Sequence, residues 1–221
     1  MNIQPLLEKS SRGHSHLCPR QILGVRIGLA GACSLNLEPN RADKRLLIVS
    51  ETDGCFADGL SAATGCAVGH RTLRVEDYGK VAATFVDVKT ARAVRVAPVL
   101  DIRQRAYAYA PNESRHYFAQ MQAYQIMPAD EMFFAQMQAY QIMPDHELLT
   151  ITEVQLAAPI EAIVSRPGLR VDCDVCGEEI MNEREIQQDG LILCRACAHG
   201  GYYRPVERDI ISFYAQQEAA L

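Results

Sequence analysis

Residues 14–31 read HSHLCPRQILGVRIGLAG, and this stretch predicts how the chain begins to fold. Proline is favoured at the first position of a helix, so Pro19 makes Cys18 the predicted N-cap residue. The apolar residues that follow recur at helical spacing and predict a helix to about Cys33 that is buried on most sides. The positive end of the helix dipole favours the thiolate of Cys18, which suits a nucleophile or a metal ligand.

A second helix start has the same design. After a predicted strand at residues 46–49 and a turn, Cys55 opens a predicted helix that ends near Gly65. Asp58 lies one turn from Cys55 on the same face. If both helix starts face one cleft, they supply a mixed nitrogen, sulfur and oxygen ligand set, which zinc tolerates. The plainer alternative is that these cysteines are small buried residues and that the nearby histidines are exposed and idle.

The clearest pattern lies near the C-terminus, where residues 173–197 read CDVCGEEIMNEREIQQDGLILCRAC. The spacing C-x2-C-x17-C-x2-C presents two pairs of thiolates, and a tetrahedral structural zinc site needs four. Gly177 suits the positive φ of such a turn, and Asp189-Gly190 predicts a hairpin between two short strands. We therefore predict a zinc ribbon. The alternatives are four buried cysteines or a redox CxxC, which would not need the second pair. The predicted zinc ligands are Cys173, Cys176, Cys194 and Cys197.

Composition limits the class of protein. The chain has 221 residues, of which 48% are hydrophobic and 22% are charged, and this predicts a globular protein with a sizeable core. The net charge is -5 and basic residues are scattered, so we expect no nucleic-acid partner. No apolar run reaches 18 residues and no secretory signal is recognisable, so we expect no membrane and a cytoplasmic location. Eight cysteines there favour metal binding over disulfides. Cys33 and Cys66 are predicted to be core residues.

Three stretches, HSHLCP, TDGCFADGLSAATGC and EDYGK, precede the four-cysteine segment. Together these motifs resemble the E-subunit family of formylmethanofuran dehydrogenase over about residues 12–98 and 145–203. The resemblance implies an α+β core with a metal-binding cleft, joined to a ribbon. It assigns His16, Cys18 and Cys55 to that cleft. Ser15 and Arg20 depart from the family pattern, as does His70, but they leave the ligand positions in place. Further family motif positions are matched by His14, Asp58, Thr64, Cys66, Asp77 and Lys80.

The predicted fold class is α+β. Residues 1–165 form an antiparallel sheet with packed helices, and residues 166–221 form the zinc ribbon and a C-terminal helix. The sequence FAQMQAYQIMP occurs twice, at 118–128 and 134–144, and residues 118–144 are therefore predicted as a duplicated helical unit. We interpret the extra copy as a tolerated surface insertion. The alternative is that it changes the packing between protomers. Further strands are predicted at residues 72–75, 81–88, 93–96 and 148–156.

Three functions follow from these patterns. The first is a metal-binding accessory or binding subunit, associated by resemblance with a molybdenum or tungsten one-carbon oxidoreductase. Its cleft would hold zinc or another divalent transition metal, with His14, His16, Cys18 and Cys55 as ligands. The second is an independent zinc-dependent enzyme that uses the cleft metal as a Lewis acid and Asp58 as acid or base. The third is a purely structural zinc protein. We favour the first, with a homodimer and a larger dehydrogenase complex as expected assemblies, and leave catalysis open.

Overall fold

A computed structural model describes residues 2–39, 43–109 and 131–204. The chain divides into two compact units, Met1–Ile160 and Glu161–Leu221. The first copy of the repeat, at 118–128, and the predicted C-terminal helix, at 206–221, lie outside the described residues. Within the described ranges, no helix is both long enough and apolar enough to cross a bilayer.

The first unit is built on a five-stranded sheet with the strand order β2-β1-β3-β4-β5. Its strands are β1 Leu46–Ser50, β2 Leu73–Val75, β3 Ala83–Asp87, β4 Ala93–Pro98 and β5 Leu149–Val154. The strand positions and the α+β class are confirmed, but the sheet is mixed. Three pairings are antiparallel, whereas β1 and β2 are parallel. The reason is that a helical crossover separates β1 from β2, and such a crossover returns the chain in the same direction. Consequently β3 pairs with β1, not with β2 across the turn at residues 77–79.

Helices cover this sheet and carry the predicted helix starts. They are α1 Gln4–Ser10, α2 Pro19–Ser34, α3 Cys55–Thr64, α4 Ile102–Tyr109, α5 Glu131–Ile142 and α6 Asp145–Leu148. Cys18 is the N-cap of α2, as predicted, and most of that helix is buried. The second copy of the repeat forms α5, which confirms the predicted helix for that copy.

The close approach of α2 and α3 depends on two glycines. A Cβ on Gly24 would lie 2.3 Å from the carbonyl oxygen of Phe56, and one on Gly59 would lie 2.4 Å from that of Gln21. Both contacts fall in the first two turns of their helices, so the two N-termini lie side by side. Cys18 and Cys55 are the residues at those N-termini.

A buried carboxylate fixes one end of the sheet. Asp87 accepts hydrogen bonds from Nε and Nη2 of Arg45, each at 2.7 Å. It also accepts from the Lys89 N–H at 3.0 Å and from the Thr90 hydroxyl at 2.8 Å, both in the turn between β3 and β4. The guanidinium and these two donors hold the pKa of Asp87 well below its usual range.

The two remaining cysteines of the first unit differ in burial. Cys66 is buried, as predicted. The prediction that Cys33 is a core residue was wrong, because Cys33 is exposed. It lies in the last turn of α2 and lines an open cavity with Leu29 and Ile142, so its side chain faces away from the sheet.

The second unit, as far as Arg204, consists of two hairpins and two short helices. Its elements are α7 Ile160–Val164, β6 Arg170–Asp172, β7 Glu179–Met181, β8 Ile186–Gln188, β9 Leu191–Leu193 and α8 Arg195–His199. The predicted hairpin is β8–β9, and its turn has positive φ at both Asp189 (54°) and Gly190 (79°). That backbone is the type I′ turn that favours this dipeptide. The β6–β7 hairpin was not predicted.

Candidate metal centres

Four sulfur atoms converge in the second unit. The Sγ atoms of Cys173, Cys176, Cys194 and Cys197 all lie within 4.8 Å of one another. Cys176 Sγ and Cys194 Sγ are 3.9 Å apart. Four sulfurs bound to one zinc at about 2.3 Å are about 3.8 Å apart in a tetrahedron. The four cysteines therefore fit a zinc ion and, since they supply all four ligands, they leave no open coordination position.

Backbone donors support negative charge on these sulfurs. The Cys194 N–H points to Cys173 Sγ at 3.2 Å, and the Cys197 N–H points to Cys194 Sγ at 3.4 Å. Hydrogen bonds from the backbone of Cys176 and Cys194 lower the pKa of Cys173 to about 6. The neighbouring Cys194 sulfur raises the pKa of Cys197 to about 12. A divalent cation would relieve this mutual repulsion of thiolates.

In the first unit, Cys18 is held at the start of α2 by a capping box. Its N–H donates to Gln21 Oε1 at 2.7 Å, and the Gln21 backbone N–H donates to the Cys18 sulfur. The Gln21 side chain is fully buried and also donates to the Ser10 carbonyl oxygen at 3.0 Å. Gln21 therefore connects the capping residue of α2 to α1.

Burial decides the protonation state of the Cys18 thiol in the absence of a cation. Desolvation raises the pKa of Cys18 to about 11, and the adjacent Cys55 thiol raises it as well. The backbone N–H groups of Gln21 and Arg20 lower it, as expected at a helix N-terminus, but by less than burial raises it. The sequence-based expectation of a favoured thiolate therefore holds only if a positive charge compensates the burial.

His14, in the segment that precedes α2, contacts the start of α3. Its Nε2 lies 2.7 Å from Asp58 Oδ2, and its Nδ1 lies 3.8 Å from Cys55 Sγ. If the carboxylate accepts a hydrogen bond from the Nε2–H, the lone pair of Nδ1 faces the sulfur. Carboxylates orient metal-binding histidines in this way. A nitrogen and a sulfur on one tetrahedral zinc are about 3.6 Å apart, so His14 and Cys55 fit a shared ion.

The candidate ligands of the core cleft do not meet at one point as the four ribbon sulfurs do. His16 Nδ1 lies 2.9 Å from the hydroxyl of the adjacent Ser15, so this ring nitrogen is engaged by its own neighbour. Metal ligands in proteins are mostly His nitrogens, Cys sulfurs and carboxylate oxygens. Within the described ranges, only the four ribbon cysteines place three or more such atoms within 4.8 Å of one another. The structure instead brings the core-cleft groups together as successive pairs, Cys18 with Cys55, Cys55 with His14, and His14 with Asp58. A common ion would have to draw them closer.

A cavity of about 680 Å³ opens beside His14 and Asp58. Lys9, Ser61 and Cys66 are among its other lining residues, and Lys9 Nζ donates to the Ala62 carbonyl oxygen at 3.2 Å. An amine, a hydroxyl, an imidazole and a carboxylate thus face one open space. Such a mixture of polar groups suits a small polar ligand.

Two other family motif positions, Thr64 and Asp77, have structural roles. The Thr64 hydroxyl donates to the Leu60 carbonyl oxygen at 2.7 Å and accepts from the Cys66 N–H at 3.2 Å, at the end of α3. Asp77 Oδ1 accepts from the Gly79 N–H at 2.9 Å within a turn.

Gln21 was not identified from the sequence. Its signal was the spacing Cys18-x-x-Gln21, since a Gln three residues after an N-cap marks a capping box.

The fold and these clusters define the class of the protein, an α+β domain followed by a four-cysteine ribbon. Residues 13–150 match the family described as "FmdE, Molybdenum formylmethanofuran dehydrogenase operon". Residues 167–203 match the "Prokaryotic dksA/traR C4-type zinc finger". The chain therefore belongs to the FmdE family, as the sequence motifs indicated, and its second unit is a C4 zinc finger, which confirms the predicted ribbon.

Two individual proteins are similar over most of the chain. A "Probable S-adenosyl-L-methionine-binding protein" of Archaeoglobus fulgidus is 30% identical over 224 residues, which is 94% of this chain and 56% of the relative. The chain thus spans about half the length of that curated relative. The crystal structure of a tungsten formylmethanofuran dehydrogenase FmdE-like protein from Syntrophus aciditrophicus has a TM-score of 0.54 at 20% identity. That match covers 92% of this chain and 96% of the solved chain, and it supports the fold.

Proposed function

We propose that this FmdE-family protein is a metal-binding accessory or binding subunit with two metal sites of different kinds. The ribbon zinc is structural. The second site is the core cleft, where His14, Cys18 and Cys55 bind zinc or another divalent transition metal. His16 is kept as a further predicted ligand of this site. The observation that carries the proposal is the contact of one imidazole with both Asp58 and Cys55.

The chain's own residues account for how such a site would work. Asp58 orients the His14 ring so that Nδ1 faces the sulfurs, and Gln21 fixes Cys18 at the helix start. The metal would supply the positive charge that the buried Cys18 thiolate needs. While His16 stays on the Ser15 hydroxyl, the other three side-chain ligands leave a tetrahedral position for a ligand from solvent or from a partner. The neighbouring cavity is large enough for such a ligand.

We further propose that this binding role serves a molybdenum or tungsten one-carbon oxidoreductase. The matching family and the solved neighbour are both named for formylmethanofuran dehydrogenase. The A. fulgidus relative is named for S-adenosyl-L-methionine, and the cavity beside Asp58 is a candidate site for a small polar molecule of that kind. The proposal also includes a cytoplasmic homodimer, and light scattering of the full chain tests its assembly state.

A second candidate function is an independent zinc-dependent enzyme. The open cavity at Asp58 favours it, because a carboxylate that lines a ligand-sized space can move a proton to or from a bound molecule. A bound zinc would act as a Lewis acid. In this alternative, Asp58 would contact the substrate as well as His14. In the accessory function, Asp58 only orients the His14 ring.

Metal content per chain tests the second metal site. Elemental analysis of the purified full chain should give two metal equivalents, and Cys55→Ser should give one. The matched control is Cys33→Ser, which replaces an exposed cysteine of the same unit and should keep two. A single equivalent in the wild-type chain, or two in Cys55→Ser, would show that the core cleft does not bind a metal.

A further inference from the structure

Helix α5 packs against α2 and α4, and the face that it presents to them is almost completely buried. Phe134, Ala139, Tyr140 and Met143 are each at most 1% exposed. Ala139, Tyr140 and Met143 belong, with apolar side chains of α2 and α4, to the main hydrophobic core. We call this place the α5 slot. Its occupant in the structure is the second copy of the repeat.

Arg26 of α2 binds both backbone carbonyl groups at the end of α5 and the carboxylate that follows them. Its Nη1 donates to the Tyr140 carbonyl oxygen at 2.8 Å, and its Nη2 donates to the Met143 carbonyl oxygen at 2.5 Å. Nη2 and Nε also donate to the Asp145 carboxylate, at 2.7 and 3.3 Å. Since two of these four hydrogen bonds go to carbonyl groups, any helix with the same buried side chains can satisfy half of them.

The sequence contains a second segment with those side chains. Residues 117–132 read YFAQMQAYQIMPADEM, and residues 133–148 read FFAQMQAYQIMPDHEL, so 12 of 16 positions are identical. Two of the four differences keep an aromatic or a large apolar residue, with Tyr117 for Phe133 and Met132 for the buried Leu148. The other two replace Asp145, whose side chain is 64% exposed, and the exposed His146.

The contact made by the following turn is also reproduced. Glu147 accepts a hydrogen bond from the Tyr109 hydroxyl at 2.6 Å. The residue at the same position of the first segment is Glu131. A shift of 16 residues therefore preserves the core side chains, both carbonyl acceptors for Arg26 and the carboxylate for Tyr109. It loses the Asp145 carboxylate.

The chain between α4 and the slot is long enough for this shift. Tyr109 contacts Glu147 just beyond the end of α5, so the distance from Tyr109 to the start of α5 is set by the length of that helix. The 12 residues of α5 are about 18 Å long. The seven residues 110–116 would then connect Tyr109 to Tyr117, and eight Cα–Cα steps span up to about 26 Å.

We propose that the α5 slot binds either copy of the repeat, residues 133–148 or residues 117–132 of the same chain. Exchange moves 16 residues from the connection before the slot to the connection before β5. Because Leu148 and Leu149 are adjacent, exchange opens a 16-residue loop before β5 while it shortens the connection after Tyr109. The cost of loop closure grows only slowly with length, so the arrangement in the structure stays the favoured one and the other remains accessible. The duplication would thus give one core position two competing occupants, and this inference is independent of either metal site.

Disulfide trapping distinguishes the two occupants. Cys33 and the exposed Ile142 line the same cavity, and the position that corresponds to Ile142 in the first segment is Ile126. In the full chain, the cysteine of Ile142→Cys should form a disulfide with Cys33 when the second copy occupies the slot, as it does in the structure. Ile126→Cys should form the same intramolecular link if the first segment enters the slot. Peptide mapping of the monomer identifies each link.

The result that would overturn the proposal is a Cys33 link in Ile142→Cys with none, or only an intermolecular one, in Ile126→Cys. Core truncation gives a second, independent measurement. Tyr124→Ala alone should leave the thermal midpoint unchanged, and Tyr140→Ala alone should lower it by only a few degrees. The double variant should lose about 10 °C or more, because neither segment then fills the slot. A Tyr140→Ala loss as large as that of the double variant would also contradict exchange.

Discussion

In the ribbon and in the core cleft alike, the cysteines lie at turns or at helix starts, but the two places bring their candidate ligands together differently. The ribbon takes four sulfurs from 25 consecutive residues and holds them within 4.8 Å of one another. The core cleft takes its groups from two segments, at the starts of α2 and α3, and brings them together only as successive pairs. The ribbon is thus a closed site suited to structure, whereas the proposed site in the core cleft would be an open one suited to exchange. The following predictions test that difference.

The largest effect is expected for Cys173→Ser. Cys173 is buried in the small core of the second unit, where the other buried apolar residues among those described are Ile180 and Leu193. Structural zinc contributes on the order of 10 kcal/mol to the folding of such modules. We expect the variant to lose one metal equivalent and the protection of residues 166–204 in hydrogen exchange, while the sheet of the first unit keeps its protection. Retention of a folded second unit would contradict a structural role for the zinc.

The next largest effect is expected for Gly24→Ala. The new Cβ would lie 2.3 Å from the Phe56 carbonyl oxygen, so α2 and α3 must separate. The overpacking should cost about 3 kcal/mol, which exceeds the helix propensity of about 1 kcal/mol that alanine gains over glycine. Denaturant unfolding measures the loss, and elemental analysis should show that the metal of the core cleft is lost and the ribbon zinc retained.

Gly13→Ala is the matched control, because no atom lies within 4 Å of its Cβ position. It should change neither the stability nor the metal content. If Gly24→Ala kept two metal equivalents, the close helix approach would not be what assembles the core cleft.

The stability of the first unit should fall at acid pH, because the sheet contains the ion pair of Asp87 with Arg45. The pKa of Asp87 is lower in the folded chain than its usual value near 3.9. Its stabilisation is therefore complete above about pH 4 and is lost as the pH falls toward the lower folded value. Asp87→Asn should lose about 2 kcal/mol at neutral pH, from weaker bonds to Arg45, and should lose less than the wild type on further acidification.

The readout is the protection of the β3 and β4 amides against hydrogen exchange as the pH is lowered. Asp101→Asn is the control, since Asp101 forms an exposed pair with Arg105 one helical turn away. That variant should match the wild type. An acid response of Asp87→Asn equal to that of the wild type would remove Asp87 as the cause.

The sequence predicted the ribbon better than the core cleft for a physical reason. All four ribbon ligands lie in two tight turns and one hairpin, so local spacing determines their geometry, and Gly177 and Asp189-Gly190 have the predicted positive φ. The core cleft instead depends on where α2 crosses α3. The sequence indicated both helix starts and their candidate ligands, but not that Gln21 fixes Cys18.

Long-range packing also explains the incorrect predictions in the first unit. Strand β2 joins the sheet parallel to β1 because of the crossover through α3, and alternation of residues within β2 carries no information on its partner. Cys33 has the helical spacing of a core residue, yet it faces a cavity at the end of α2. Both outcomes depend on neighbours that lie far away in the sequence.

The smallest effect is expected for Asp58→Asn, which tests the core cleft at its outermost contact. The amide keeps the size of the side chain and can still accept a hydrogen bond from His14, but it no longer carries the charge that makes the imidazole a stronger ligand. We expect about tenfold weaker binding of the second metal, about 1.4 kcal/mol, with unchanged ribbon zinc. Competition with a chromophoric chelator measures this affinity. Asp53→Asn, a change of the same kind two residues before Cys55, is the control and should bind as the wild type does. An Asp58 variant with unaltered affinity would mean that the carboxylate does not orient His14 toward a metal, and the contact with Cys55 would then lose its functional meaning.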